Sequence, residues 1–261
     1  MEMRAILKKC ARALGYDVKR VIHTPATASR PVGEMQMFLE DLRVRGLACS
    51  AILDVGGFHG DWSRMAKRVY PEANCYLLEP QANLRPYLDG FCREFPGSRW
   101  FCAGAGPECG EFSLTVFDQD CSSSFVPAAS DAPMLAVSER RTVPEVTSDR
   151  LLEQEGWPVP QLVKLDVQGF ELEALRGAAS LFGRTEAFIL EVSLYRFMGR
   201  EPLLHEVIAF MAGRGYLAYD LPGFGRRPLD GALAQVDLCS VKEDSFLRRD
   251  QRWQWPAAPK G

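Results

Sequence analysis

Apolar residues along this chain fall into short runs that stop at a polar or acidic residue. Between the runs lie stretches where apolar positions recur every three or four residues. A short apolar run reads as a buried strand, and the three-to-four spacing reads as a helix with one packed face. On that pattern we expect strands over 51–55, 74–79, 99–102, 162–166, 187–191, 216–220 and 235–241. Helices are expected over 34–45, from the first strand to about 70, over 83–95, after Gly169, and over 202–212. Met37, Phe38 and Leu42, joined by Met35, would face inward from the first of these, and Leu172, Leu175, Ala179 and Phe182 from the fourth. Alternating strands and helices imply a parallel sheet with helices on both faces.

Segments outside this alternation define the rest. Residues 1–20 carry Ile6, Leu7, Ala11 and Leu14 at helical spacing, with Gly15 as a stop. A linker is expected over 23–33, an inserted strand over 110–118, and a Gly/Pro/Arg return over 221–230. Residues 119–141, rich in Ser, Ala, Asp and Pro, read as a loop forming a wall over a site. The expected organisation is an N-terminal helical extension and linker over 1–46, an α/β domain over 47–245, and a tail over 246–261.

Composition narrows the function classes. Net charge is −3, so bulk charge gives no reason to expect a nucleic-acid partner. Seven basic and two acidic residues up to Arg30 make the N-terminal helix basic and amphipathic, which suits weak peripheral contact with an anionic membrane. No apolar stretch reaches 18 residues, and the N-terminus shows no signal-peptide core. The eight cysteines are scattered without a C-x-x-C pair, which reads as reduced thiols in a cytoplasmic protein. No pattern specifies an oligomeric state.

The chemistry concentrates at the strand ends. Asp54-Val55-Gly56-Gly57-Phe58-His59-Gly60 follows the first strand, and Glu79 ends the second. In an open α/β sheet a turn of this kind places a cofactor at the carboxyl end of the first strand, and an acid ending strand two suits ribose hydroxyls. Phe58 stands where a dinucleotide fingerprint needs glycine, and no Walker motif occurs. S-adenosylmethionine fits better, since it has no phosphate and carries positive charge that an acidic pocket favours. The alternative is that Asp54 only caps a helix and the glycines only turn the chain.

Val163-Lys164-Leu165-Asp166-Val167-Gln168-Gly169-Phe170-Glu171 through Gly177-Ala178 closely resembles the signature of the FkbM methyltransferase family, K-I-D-V-E-G-x-E-x-x-V-L-x-G-A. Gln168 stands where that family usually has Glu. The first motif resembles the family's D-V-G-A-N-x-G, with Gly57 for Ala and Phe58 for Asn. The resemblance spans roughly 47–245. It implies a class I, Rossmann-like methyltransferase fold with seven strands, the last antiparallel. It further implies S-adenosylmethionine-dependent O-methylation of a sugar, glycolipid or secondary-metabolite hydroxyl. Asp54, Gly56, Gly57 and Gly60 would then hold the methionine end of the cofactor and Glu79 the ribose. Ala103 and Gly104, after strand three, would line the adenine.

Asp166 is the first candidate for the base that takes the hydroxyl proton, Glu191 the second, and His59 the third. Asp166 could instead cap the helix after Gly169. Glu191 could be a buried, hydrogen-bonded acid, and His59 could pack against the cofactor. With Asp118 or Asp120, the two acids could bind a hard cation, but no spacing specifies one, and no metal is assigned. Arg140, Arg141, Arg196, Arg200, Arg226 and Arg227 suit an anionic acceptor. Competing readings are a degenerate cofactor-binding scaffold and an N-methyltransferase, although the N/D-P-P-[YF] motif of the latter does not occur.

Overall fold

A computed structural model describes residues 30–117 and 137–253. The expected helix over 1–20, residues 23–29 of the expected linker, most of the 119–141 loop and the last eight residues lie outside the described residues.

The central strand β1 (Ala51–Val55) is buried along its whole length, as a strand covered on both faces must be. It pairs in parallel with β2 (Asn74–Leu78) on one side and β7 (Leu162–Leu165) on the other. Outward from β2 lies β3 (Arg99–Phe101). Outward from β7 lies β8 (Ala187–Ser193), then the antiparallel β10 (Leu233–Lys242), then β9 (Tyr216–Arg226) at the edge. The order β3-β2-β1-β7-β8-β10-β9 is the expected class I, Rossmann-like sheet. Its direction reverses between β1 and β7, where such sheets open a crevice for ligands.

Helices cover both faces because successive strand residues point opposite ways. Ile52, Leu77, Ile189 and Cys239 pack under α1 (Met35–Val44), α2 (Asp61–Val69) and α3 (Arg85–Glu94), meeting Phe38, Leu42, Ala66 and Phe91. Leu53, Val163, Phe188 and Leu190 pack on the other face under α4 (Ser148–Glu155), α5 (Glu171–Arg176) and α6 (Leu204–Ala212), meeting Leu151, Leu175, Val207 and Met211. No helix among the described residues is long and apolar enough to cross a membrane.

A second sheet stands above the crevice. It joins β4 (Gly104–Ala105), β6 (Val137–Val146) and β5 (Gly110–Phe117) in that order, with β5 and β6 antiparallel. Leu114, Val116 and Val143 pack it against Phe170 and Met198.

Four expectations change. The 119–141 loop gives way to strand at Val137, so Arg140 and Arg141 sit on β6. The 221–230 return is mostly strand, because β9 continues to Arg226. Pro222 is tolerated there because β9 is an edge strand and needs no inward donor. A Cβ at Gly223 would lie 1.8 Å from Asp237 Oδ2, so any side chain there would displace that carboxylate. The helix after Gly169 stops at Arg176 and resumes as a helical turn, Ala179–Leu181. A Cβ at Gly177 would lie 1.9 Å from the carbonyl oxygen of Gly106, which fixes that break. The residues buried there are Ala174, Leu175, Ala178 and Leu181, while Ala179 is exposed and Leu172 and Phe182 are half-buried. Finally, β8 runs past Glu191 to Ser193, so Glu191 lies within a strand, opposite Asp237.

Candidate cofactor and acceptor site

The turn after β1 is built on backbone contacts with β2. Gly56 N–H and Gly57 N–H both donate to the carbonyl of Leu78, at 2.9 and 3.0 Å. Gly56 has φ of 81°, and a Cβ there would sit 1.9 Å from the carbonyl oxygen of Asp166. No other residue fits. Phe58 takes φ of 45° and donates its N–H to Glu79 Oε2 at 3.0 Å. Glu79 Oε1 accepts the N–H of Gln81 at 2.9 Å. One carboxylate thus ties the turn after β1 to the turn after β2. Burial pushes Glu79 up to about 7 despite these bonds.

Over these turns opens a cleft. Gly56, Glu79, Ala103, Gly104 and Asp166 line it, joined by the apolar Val55, Leu78, Ala105, Leu114 and Val167. The remaining sequence candidates lie elsewhere. Asp54 is wholly buried beneath the cleft, where its Oδ2 accepts the Ser63 hydroxyl at 2.6 Å. Burial raises its pKa, opposed by Lys164. Gly57 packs on Leu77, and Gly60 is the left-handed N-cap of α2. His59 is stacked between Phe58 and Tyr87, with ring centroids 3.9 and 4.1 Å away, and does not line the cleft. Glu191 is reached from the cleft through Gln168, whose Nε2 donates to Glu191 Oε2 at 2.6 Å.

Lys164 carries more weight here than its place in the motif suggested. Its ammonium lies 2.9 Å from Asp166 Oδ2 and 3.9 Å from Asp54 Oδ1. Burial alone would lower the lysine's pKa, but Asp166 and Asp54 more than offset this and keep it charged. Burial would likewise raise Asp166, yet Lys164 holds its carboxyl below the usual range. The sequence signal was a charged residue inside an otherwise apolar, buried strand. Gln235 and Asp237, on β10, join this polar floor and carried no such signal.

The arginines do not gather into one anion site. Arg141 pairs with Glu139 at 2.7 Å, Arg196 with Glu206 at 2.7 Å, and Arg227 with Asp230 at 2.5 Å. Arg226 donates to the Gly231 carbonyl. Arg196 and Arg200 line a separate cavity beside Phe170 and Pro202.

The sheet order, the glycine turn and the acid after β2 define a nucleoside-cofactor enzyme of the class I methyltransferase type. The methyltransferase FkbM domain matches residues 54–218, and the chain belongs to that family. Its cofactor is S-adenosylmethionine. The site fits this group: Gly56 leaves room for close approach, Glu79 offers a carboxylate to a diol, and Ala103 to Ala105 give an apolar wall.

Among curated proteins none matches the chain in sequence. Solved structures share the fold at low identity. A putative O-methyltransferase from Klebsiella pneumoniae is 12% identical with a TM-score of 0.47, covering 91% of this chain and 89% of that one. The 1,6-didemethyltoxoflavin-N1-methyltransferase of Burkholderia thailandensis, with bound 1,6-didemethyltoxoflavin and S-adenosylhomocysteine, is 11% identical with a TM-score of 0.44, covering 93% and 90%. The precorrin-6y C5,15-methyltransferase of Geobacter metallireducens is 12% identical with a TM-score of 0.45, covering 83% and 92%.

Proposed function

We propose that this methyltransferase acts on oxygen, transferring the methyl group to a hydroxyl of a sugar, glycolipid or secondary metabolite. The observation that carries the reading is Asp166, which lines the cleft and is held ionised by Lys164. When bound, S-adenosylmethionine supplies an electrophilic methyl group. Asp166 accepts the hydrogen bond of the incoming hydroxyl and orients its oxygen, and alignment is the main part of such catalysis. As the new carbon–oxygen bond forms, that oxygen becomes positive and its proton strongly acidic. A carboxylate with a depressed pKa is then base enough to take the proton onto Oδ. Gly56 and Glu79 would hold the methionyl and ribose parts, with Asp54 stiffening the turn from below through Ser63. The described cysteines are free thiols, which supports a reducing, cytoplasmic setting.

The test begins with calorimetric titration of S-adenosylmethionine into the parent and into Asp54→Ala and Glu79→Ala, both of which should lose binding. A screen of hydroxyl and amine acceptors follows, in the parent and in Asp166→Asn. We expect hydroxyl turnover that falls by about 10²–10⁴-fold in Asp166→Asn, with cofactor affinity nearly unchanged. Turnover of amines alone would reject oxygen as the acceptor atom. Binding without turnover of any acceptor would favour the scaffold reading.

A further inference from the structure

We propose that Gln168 is a positioning residue whose amide fixes a proton on Glu191 and leaves Asp166 as the ionised carboxylate facing the acceptor. The inference rests on the reading of Asp166 as acceptor-facing.

Gln168 lines the cleft with a left-handed backbone, φ 52°. That conformation is uncommon outside glycine, and it accompanies a side chain folded back onto the residue two positions earlier. The two hydrogens of its Nε2 go to two different carboxyls, Asp166 Oδ1 at 2.8 Å and Glu191 Oε2 at 2.6 Å. From β10, Gln235 Nε2 donates to the same Glu191 Oε2 at 3.2 Å. Gln168 thus gathers two carboxyls onto one amide nitrogen, where each disfavours the charge of the other, and a proton on one of them relieves that repulsion.

The pattern of donors decides which carboxyl carries that proton. Both oxygens of Asp166 already receive donors, Gln168 on Oδ1 and the Lys164 ammonium on Oδ2. The adjacent positive charge favours the ionised form there. On Glu191, Oε2 receives two amide N–H groups, but the carboxyl pairs with no cation among the described residues. That makes Glu191 the carboxyl that carries the proton, on Oε1, with Oε2 left to accept the amides. The surrounding charges agree. Asp237 from β10 and Glu171 from α5 bear on Glu191 and disfavour its charge. Asp54 from β1 opposes the charge on Asp166, but the Lys164 ammonium, 2.9 Å from Asp166 and 3.9 Å from Asp54, outweighs it. A carboxylate at position 168 could not donate to either partner and would add a negative charge to both. An amide orders the pair without titrating itself.

Infrared spectroscopy tests this on the full-length protein without acceptor or turnover, so its failure is separable from failure of the O-methylation reading. Spectra are taken at mildly alkaline pH, where Glu79 and Glu171, both near 7, are ionised. We expect a protonated-acid carbonyl band in the parent that is lost in Glu191→Gln. The band should move to higher frequency in Gln168→Met, because its carbonyl oxygen loses a donor. Circular dichroism confirms that the variants fold. Glutamate-selective ¹³C labelling of the unsubstituted protein should move the same band, which keeps the test independent of any substitution. The proposal is overturned if the parent lacks the band, if glutamate labelling leaves it in place, or if Gln168→Met does not shift it.

Discussion

Glu79 couples two properties that the sequence showed separately, an acid after β2 and a strained turn after β1. Its ionised form is the better partner for ribose hydroxyls, yet burial has raised it to about 7. Cofactor donors therefore bind best once the proton has left. Affinity for S-adenosylmethionine should weaken as pH falls through about 7, and Glu79→Gln should bind more weakly with a flatter pH profile. Titration calorimetry across neutrality checks this; an unchanged slope in Glu79→Gln would place the titration elsewhere. Gly56→Ala is the sharper substitution. Its Cβ would sit 1.9 Å from a backbone carbonyl at φ 81°, so we expect cofactor binding to vanish, with stability loss of about 1–3 kcal/mol from the strained backbone. Two residues that depart from the family pattern, Phe58 and Gln168, are the non-glycine residues with positive φ among the described residues. Asn at the first would adopt that φ with less strain. Phe58 instead gains a stacked contact with His59, whose other face meets Tyr87.

Strands β1 and β7 are joined by charge as well as by backbone. Lys164 sits 6% exposed with Asp166 on one side and Asp54 on the other. Removing one partner of a buried pair strands the others, at about 3–5 kcal/mol. Lys164→Met should lose stability on that scale in denaturant titrations. Adding Asp54→Asn should recover part of it, because the stranded charge is gone. Asp54, whose pKa is already raised, takes up a proton readily as pH falls, so the deficit of Lys164→Met should shrink in mild acid. A deficit independent of pH would mean the loss comes from packing.

The same elements show what pattern reading reaches. The parallel strands β1, β2, β7 and β8 were legible because each is a largely buried apolar run between glycine or proline breaks, and the glycine turn because its residues are adjacent in sequence. Three things were not legible. The β5–β6 pair is held by long-range backbone bonds that no local period encodes. The length of β9 depends on its being an edge strand opposite Asp237. The polar floor is assembled from β7, β8 and β10, whose residues meet only after the sheet forms.

Across the whole molecule the two ends of the sheet do different work. The carboxyl ends of the parallel strands carry the strained turns, the charged floor and the cleft. The opposite end is closed mainly by hydrogen bonds between uncharged groups, beside one ion pair, Lys242 with Glu186 at 3.0 Å. Gln161 Oε1 accepts from the backbone of Ser50 and Ala51 at 2.8 and 3.0 Å, and the Thr185 hydroxyl donates to the Pro160 carbonyl at 2.9 Å. Tyr216, 1% exposed at the start of β9, donates its hydroxyl to the Thr185 carbonyl at 2.6 Å and accepts the Gly183 N–H at 3.1 Å. Its ring also packs edge-on against Phe182 and Phe188. Tyr216→Phe keeps the ring and removes only the hydroxyl, leaving a buried carbonyl and an N–H unpaired. Such groups cost about 1–3 kcal/mol, which in a chain of this size lowers Tm by several degrees. Because the lesion lies a full strand length from the cleft, affinity for S-adenosylmethionine should stay within about twofold of the parent, as expected for distant, independent sites. Thermal melting paired with calorimetry reads both quantities on one sample. A large fall in cofactor affinity would show that the two ends are coupled through the sheet. A fall in Tm alone would show that the closed end supports the fold while the open end is free to carry strain.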